Sequence, residues 1–435
     1  MPCLSVWAGE SPLIREGFVR DSEFGGRLFV REAGDAQKQT VILVHGVGSA
    51  ASDDWLKVVP VLASKYHVLA FDLPGFGRSA KGNHLYSPTR YARCVKGVLE
   101  HYTKQNNQPI VMVGHSLGGG VALRYASLYP KTLERLILVD VAGILQRGAF
   151  TRASIHIDDD GDGKIQKLNR WLGDLILATE NLPMPINTIL TSESLRHIIL
   201  QDNSTMIAGL ALLQEDFGGD IRSVQVPTSI IWGEKDSVAP VRTGRVLEAR
   251  IAMSHLELIR DAGHVPMVES PAEFNQVLLA ELQRTDYRTV GSAVAQGDDR
   301  HAVCEKKAYA RFSGHFKSIS IKNCKQVVME DVVAENIEIV RSNVEIMRGS
   351  INTDETGMRV YRSRVMATAL DIQAKIGVNA SASELDFAGV DIRARKAAIM
   401  TSKKCKLIFS VSEVQSLYSA GARHGVYAVR RKSPL

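Results

Sequence analysis

Nowhere in its 435 residues does the chain run eighteen apolar residues together, so no membrane-spanning helix is predicted. The opening Met1-Pro2-Cys3-Leu4-Ser5-Val6-Trp7 lacks the basic segment and apolar stretch of a secretory leader, and a cytoplasmic location is the expectation. Cysteine is scarce. Cys3, Cys94, Cys304, Cys324 and Cys405 are odd in number and show neither Cys-x-x-Cys nor zinc-ligand spacing, so they read as plain thiols, with no disulfide framework and no metal knuckle. An excess of one charge is missing from the first 300 residues, which hold 31 Lys and Arg against 34 Asp and Glu; residues 301–435 hold 22 against 13. The net charge of +6 therefore belongs to the C-terminal part. Such an excess suits either an anionic partner or a solvated face that aids solubility. The length exceeds what one ordinary core fills, and two domains are expected.

What is present centres on residues 111–119, where Val111-Met112-Val113 runs into Gly114-His115-Ser116-Leu117-Gly118, a Gly-x-Ser-x-Gly. Apolar residues continue at helical spacing from Leu117 to Tyr129. This predicts a strand, a tight turn carrying Ser116, and a helix, with glycines where a Cβ would collide with neighbouring backbone. Around it, apolar runs at 28–32, 40–44, 66–71 and 136–139 alternate with helical patterns at 55–64 and 89–104, predicting an α/β fold with a mostly parallel sheet covered on both faces. From Gly143 to about Arg222 the alternation gives way to helical stretches, including 165–179 and 194–200, which reads as an insertion. It resumes with a strand at 228–232 running into Gly233-Glu234-Lys235-Asp236, a helix from Val241, a strand at 256–259 followed by Gly263-His264-Val265-Pro266, and a last helix at 272–283.

These features occur in a familiar order. The His45-Gly46 turn after a buried strand, Gly75-Phe76-Gly77-Arg78-Ser79, the serine turn, and the Gly233–Asp236 and Gly263–Pro266 strand ends make residues of roughly 24–285 resemble the α/β-hydrolase superfamily with a helical cap. A serine hydroxyl needs an imidazole to take its proton and a carboxylate to fix that imidazole's tautomer. The resemblance implies Ser116 as nucleophile, His264 as base and Asp236 as acid, with the backbone N–H groups of Val47 and Leu117 as oxyanion donors. Asp140, also at a strand end, is the rival acid; the Gly-x-x-Asp turn favours Asp236. His45 and His115 read as shaping their turns, and Phe76 and Trp232 as either pocket lining or core.

Serine stands at the turn where epoxide hydrolases and haloalkane dehalogenases of the superfamily carry Asp. The implied chemistry is acyl transfer to water through an acyl-serine, with a small-molecule carboxylic ester or thioester as substrate. Carbon–carbon bond hydrolysis is the neighbouring alternative, and a binding or scaffold protein without turnover the more distant one. No cofactor is implied. Asp158 to Asn169 resembles an EF-hand or dockerin calcium loop, with acids at positions 1, 3 and 5 and Gly163 at 6, but Asn169 stands where the bidentate Glu belongs. It reads as a solvated acidic loop, and no metal is expected.

Beyond a polar segment the pattern changes in kind. Cys324, Val344, Val365, Leu385 and Cys405 fall 20, 21, 20 and 20 residues apart, and the columns Ile337, Met358, Val378, Ala398 and Ile339, Val360, Ala380, Met400 keep step. Inward apolar residues alternate with outward Glu338, Arg359 and Asn379, which predicts stacked rungs: an all-β, right-handed parallel β-solenoid resembling in period the β-helix proteins of the pectate-lyase kind. The expected division is an α/β-hydrolase domain over 1–285 with its cap insertion at 143–222, a linker at 286–311, and the solenoid at 312–435. No cluster matching a polysaccharide-lyase site accompanies the repeat, so this second resemblance implies fold only. Its role is left open among a targeting or binding module for an anionic partner, self-association through open solenoid ends, and a domain that stabilises the hydrolase. Residues 1–290 are expected to fold alone.

Overall fold

The computed structural model describes residues 13–48, 50–103, 108–146, 184–289, 300–429 and 433–434. The acidic loop from Asp158 to Asn169 and the expected helix at 165–179 lie outside these residues.

The first half is built on strands β1 (Arg15–Arg20), β2 (Arg27–Ala33), β3 (Thr40–Val44), β4 (His67–Phe71), β5 (Ile110–His115), β6 (Leu133–Val139), β7 (Thr228–Gly233), β8 (Met253–Ile259) and β9 (Arg288–Thr289), in the spatial order β1-β2-β4-β3-β5-β6-β7-β8-β9. Pairing is parallel from β4 through β8 and antiparallel at β1–β2, β2–β4 and β8–β9. The sequence reading omitted β1, whose Arg-Glu-Gly-Phe-Val-Arg has too few apolar residues to announce a strand; it lies at the sheet's edge.

The central strands read as unbroken apolar runs because both faces are covered. Ile42, Val44, Met112 and Leu138 pack on one side with α2 (Pro88–Tyr102) and α3 (Leu117–Leu128), while Val41, Leu43, Val111 and Val139 pack on the other with α1 (Val59–Ala63) and Phe274 and Leu278. Each such side chain contributes about 1.5–3 kcal/mol on leaving water. The helix expected at 55–64 is broken: a 3-10 turn covers Ala51–Trp55 and α1 begins only at Val59.

After β6 the described part of the insertion contains α4 (Ile186–Thr191), α5 (Glu193–Leu200), α6 (Ser204–Gln214) and α7 (Gly218–Ser223). Ser192 caps α5 by accepting from Leu195 N–H at 3.3 Å, and Asn203 caps α6 by accepting from Met206 N–H at 3.0 Å. Ser204 donates to the Gly75 carbonyl at 2.6 Å, and Arg124 on α3 bridges to Glu215 at 2.8 Å and Asp220 at 3.0 Å, fastening the helices over the sheet. The chain then continues through α8 (Arg242–Arg250), α9 (Pro266–Glu269) and α10 (Pro271–Leu282).

The second half is all β, an eleven-stranded sheet of β10 (His301–Glu305), β11 (Tyr309–Lys322), β12 (Gln326–Val340), β13 (Asn343–Asn352), β14 (Thr356–Tyr361), β15 (Arg364–Ser381), β16 (Glu384–Ala388), β17 (Asp391–Thr401), β18 (Cys405–Gln415), β19 (Ala420–Val429) and β20 (Ser433–Pro434). Parallel ladders align Val327 with Val344, then Val365, Leu385 and Leu407, steps of 17, 21, 20 and 22 residues. The middle of the sequence repeat thus keeps register, whereas at its ends the ladder partners are Val327 and Leu407 rather than Cys324 and Cys405. A register shift near Ala374 likewise sets Ile399 and Thr401, not Ala398 and Met400, opposite Val378 and Ala380.

Two expectations are corrected here. The stretch 286–311, read as a linker, contains β9, all of β10 and the start of β11; the short alternation of His301-Ala302-Val303-Cys304-Glu305 was masked by its polar flanks. For the same reason Cys304 was not seen to occupy one rung while Cys324 occupies the next. The two form a disulfide with Cα atoms 6.5 Å apart, and are not plain thiols; Cys94 and Cys405 are free and buried. Among the described residues no helix is long and apolar enough to cross a membrane.

The two halves meet across a polar, largely buried seam. Arg242, Val246 and Arg250 project at i, i+4 and i+8 from one face of α8. Arg242 donates to Thr368 Oγ1 at 2.7 Å and Asp386 Oδ1 at 3.1 Å, and Arg250 to the Gly389 carbonyl at 2.6 Å and Asp371 Oδ1 at 2.7 Å. A Cβ on Gly389 would come within 3.0 Å of Val246. From α7, Arg222 reaches Asp391 at 2.7 Å and the Val411 carbonyl at 3.2 Å, and Gln146 N–H donates to Ser410 Oγ at 2.8 Å. Ala388 and Val411 belong to the same apolar cluster as the α2–α3 face of the first sheet.

Candidate active site

Ser116 sits between the end of β5 and the start of α3 at φ 52°, a left-handed conformation that L residues avoid. Its neighbours explain how the chain tolerates this. A Cβ at Gly114 would lie 2.3 Å from the Gly118 carbonyl oxygen, and one at Gly118 would lie 2.2 Å from that of Val44, so the turn closes only with glycine on both sides. Gly46 is equally confined, since a Cβ there would meet the Ser116 Cβ at 2.7 Å. The loop after β3 therefore lies directly against the serine.

From Ser116 a chain of hydrogen bonds runs inward. Its Oγ is 2.9 Å from His264 Nε2, and His264 Nδ1 is 2.8 Å from Asp236 Oδ2. Asp236 is fixed by its other oxygen, which accepts from Val238 N–H at 2.7 Å and Ala239 N–H at 2.9 Å in the loop after β7. With a proton on Nδ1, the imidazole donates to Asp236 and presents Nε2 as acceptor to the serine hydroxyl. All three residues are buried. Leu117 is the first residue of α3, where backbone N–H groups lack an intrahelical acceptor, and half-buried Val47 follows Gly46 in the neighbouring loop.

The other sequence candidates fall around this chain. His45 accepts from Leu73 N–H at 2.9 Å through Nε2, with Nδ1 2.6 Å from the Gly46 carbonyl, and thereby joins two loops; burial pushes its pKa down. His115 packs beside His264 with Nε2 2.7 Å from the His264 carbonyl, and burial, then His264, hold its pKa well below the usual histidine value. Trp232 is fully buried and donates to the Ala239 carbonyl at 2.8 Å, while Phe76 lies in the core against His45, so both are packing residues.

Asp140 does not bond His264, yet it is close. An oxygen of Asp140, an oxygen of Asp236 and a ring nitrogen of His264 lie within 4.8 Å of one another. Asp140 has φ 43° and no solvent exposure; Oδ1 accepts from Gly233 N–H at 2.9 Å, while Oδ2 has no conventional partner. Burial and then the charge of Asp236 push its carboxyl well above the usual carboxylate range. A proton on Asp140 gives that second oxygen something to donate toward Asp236. A carboxyl whose pKa folding raises contributes stability that is present at low pH and lost as pH rises from about 4 toward the elevated value. Asp140→Asn keeps a donor and cannot ionise. Its melting temperature relative to the parent is expected to improve as pH is raised from 4 to 7; parallel melting curves would mean that Asp140 is ionised in the fold.

The alpha/beta hydrolase family model matches residues 41–277, the stretch from β3 into α10 that carries the whole constellation. The chain belongs to the alpha/beta hydrolase family. An uncharacterized protein of Mycobacterium tuberculosis is 30% identical to this hydrolase over 284 residues, 60% of this chain and 80% of the relative. A 2-hydroxy-6-oxo-6-(2'-aminophenyl)hexa-2,4-dienoic acid hydrolase of Metapseudomonas resinovorans is 30% identical over 264 residues, 58% of this chain and 86% of the relative. Lipase 3 of a Moraxella species is 24% identical over 250 residues, 57% and 78% respectively. The family match ends before the first strand of the second sheet.

Proposed function

We propose that this hydrolase cleaves a carboxylic ester or thioester through an acyl-serine intermediate. The observation that carries the reading is the continuous hydrogen-bonded line Asp236–His264–Ser116, ending on a serine held at φ 52°. Ser116 Oγ attacks the acyl carbon as His264 Nε2 takes its proton, and the developing oxyanion is received by the N–H groups of Val47 and Leu117. Collapse expels the alcohol or thiol, which leaves with the proton from His264. A water molecule then repeats the sequence on the acyl-serine, releasing the acid and restoring the hydroxyl. Asp236 keeps the imidazole in the right tautomer and steadies its charge.

The substrate is a small molecule, and residues 1–285 with the cap at 143–222 form the catalytic unit. The parallel ladders of β10 to β18, stepping 17 to 22 residues per rung, support reading the C-terminal strands as a β-solenoid appended to it. The deciding experiment is turnover of a panel of p-nitrophenyl esters of graded acyl length. Measurable hydrolysis with a chain-length optimum is expected, and no turnover of any member would overturn the ester reading. Carbon–carbon bond hydrolysis is second, favoured by the 30% identity to the hexadienoic acid hydrolase. Activity confined to a ring-fission dienoate of that relative's kind would establish it.

A further inference from the structure

The C-terminal strands turn the same corner once per rung, and the outside of that corner is basic. Lys306, Asn323, Arg341, Arg362 and Ala382 occupy equivalent turn positions with φ between 47° and 56°. Each turn is locked to the next: Asn323 N–H donates to the Val340 carbonyl, Arg341 N–H to that of Tyr361, and Arg362 N–H to that of Ser381, at 2.9–3.0 Å. Just inside runs a ladder of buried serines, in which Ser342 N–H donates to Ser363 Oγ at 3.1 Å and Ser363 N–H to Ser383 Oγ at 3.2 Å. The side chains outside are therefore stacked in a fixed line, one per rung, at the strand spacing of about 4.8 Å.

A second line runs beside the first. Asn343, Arg364, Glu384 and Lys406 are direct ladder partners at the start of successive strands. Between the lines lies an open groove of about 780 Å³, lined by Asn343, Arg362, Arg364, Glu384, Lys404 and Lys406 among others. Four cations thus face one carboxylate. Glu384 lies 3.3 Å from Arg364 and 3.6 Å from Lys406, and so holds the cation on either side in place while both remain at least half exposed. Arg341 and Arg362 sit where glycine would be accommodated without strain; an L residue there costs about 1–2 kcal/mol. Of the two, Arg362 lines the groove, kept there at that cost with its guanidinium over the Tyr361 ring at 5.2 Å.

The geometry selects among polyanions. Positive charge repeated along a line matches a chain with repeated negative charge better than a single anion. None of the groove's lining residues is aromatic, and the adjacent Tyr361 ring has the Arg362 guanidinium over it, so the groove itself offers nucleic-acid bases no ring to stack on. None is a large apolar residue either, so nothing there would insert into a lipid surface. We propose that this corner binds a linear acidic polysaccharide, whose carboxylates or sulfates are taken by Arg362, Arg364, Lys404 and Lys406.

Binding of the full-length protein to immobilised polygalacturonate (carboxylated) and heparin (sulfated) tests this, with neutral dextran, poly(dT) and phosphatidylglycerol vesicles alongside. At least one acidic glycan should be bound at low salt and released by 0.5 M salt. The Arg362→Gly, Lys404→Ala double variant should bind about tenfold or more weakly, with its melting temperature unchanged or raised because glycine suits the turn. Lys404→Ala alone, at an exposed site, should show part of the loss if the double variant is poorly folded. The proposal is overturned if neither glycan is held better than dextran, if both variants bind as the parent does, or if poly(dT) or vesicles are held more tightly than either glycan.

Discussion

Turnover of a p-nitrophenyl ester is expected to fall by roughly 10⁴-fold or more in Ser116→Ala and in His264→Ala alike, with the double variant little worse than either. The near-equality follows from geometry. Ser116 Oγ and His264 Nε2 stand 2.9 Å apart, and in the proposed reaction they share one proton transfer, so removing either removes the step. Losses that add in the double variant would mean that the two act independently and would sink the triad. Both variants should keep the parent's melting temperature to within a few degrees, because the elbow is held by Gly114 and Gly118 rather than by the hydroxyl. The acid is tested in the same assay: Asp236→Asn removes the acceptor at His264 Nδ1, whereas Asp140→Asn preserves a donor toward Asp236. The first should cost much more activity than the second, and the opposite ranking would transfer the acid's role to Asp140.

A chain ending at residue 290 is expected to melt at least about 5 °C below the full-length protein, or to aggregate, contrary to the independence that its sequence suggests. The cut strips Arg222, Arg242 and Arg250 of their acceptors and uncovers the surface against which Ala388 and Val411 pack. Hydrogen bonds to charged groups are worth about 1.5–3 kcal/mol each when buried, and one kcal/mol moves the melting point of a domain of this size by about 2–4 °C. Arg250→Ala isolates one part of this, because its side chain is only 7% exposed and donates to both Gly389 and Asp371. Differential scanning calorimetry of the three proteins decides the matter. A 1–290 chain that melts like the parent would show that the seam contributes nothing.

The candidate site is readable in the sequence because each of its parts leaves a local mark. A strained serine needs glycines at fixed offsets, and side chains at strand ends follow short turn motifs, so the sequence singles out Ser116, His264 and Asp236, which the fold brings within hydrogen-bonding distance of one another. The pairing of Asp140 with Asp236 was not readable: both end strands, but their approach depends on β6 and β7 being neighbours, which is a property of strand order. The seam left no mark either. Arg242 and Arg250 on α8 look like ordinary solvated arginines, and only the docked strands show that their spacing places them on one buried face. In the C-terminal part the repeat revealed the stacking, but a period counted from apolar columns slips wherever a turn gains or loses a residue. That slip is why the apolar column takes in Cys324 and Cys405 where the ladder partners are Val327 and Leu407, and a first rung hidden among polar residues is why the sequence carries no sign of the Cys304–Cys324 bond.

The cap insertion leaves the sheet near Gln146 and returns through α7. Both stems are tied to the same added strands, the first by Gln146 on Ser410 and the second by Arg222 on Asp391 and Val411. A lid that swings needs at least one free stem to act as a hinge, and here both stems are hydrogen-bonded to the added strands. Substitutions at Ser410 or Asp391 in the C-terminal strands would therefore loosen a stem of the insertion while leaving Ser116, Asp236 and His264 untouched.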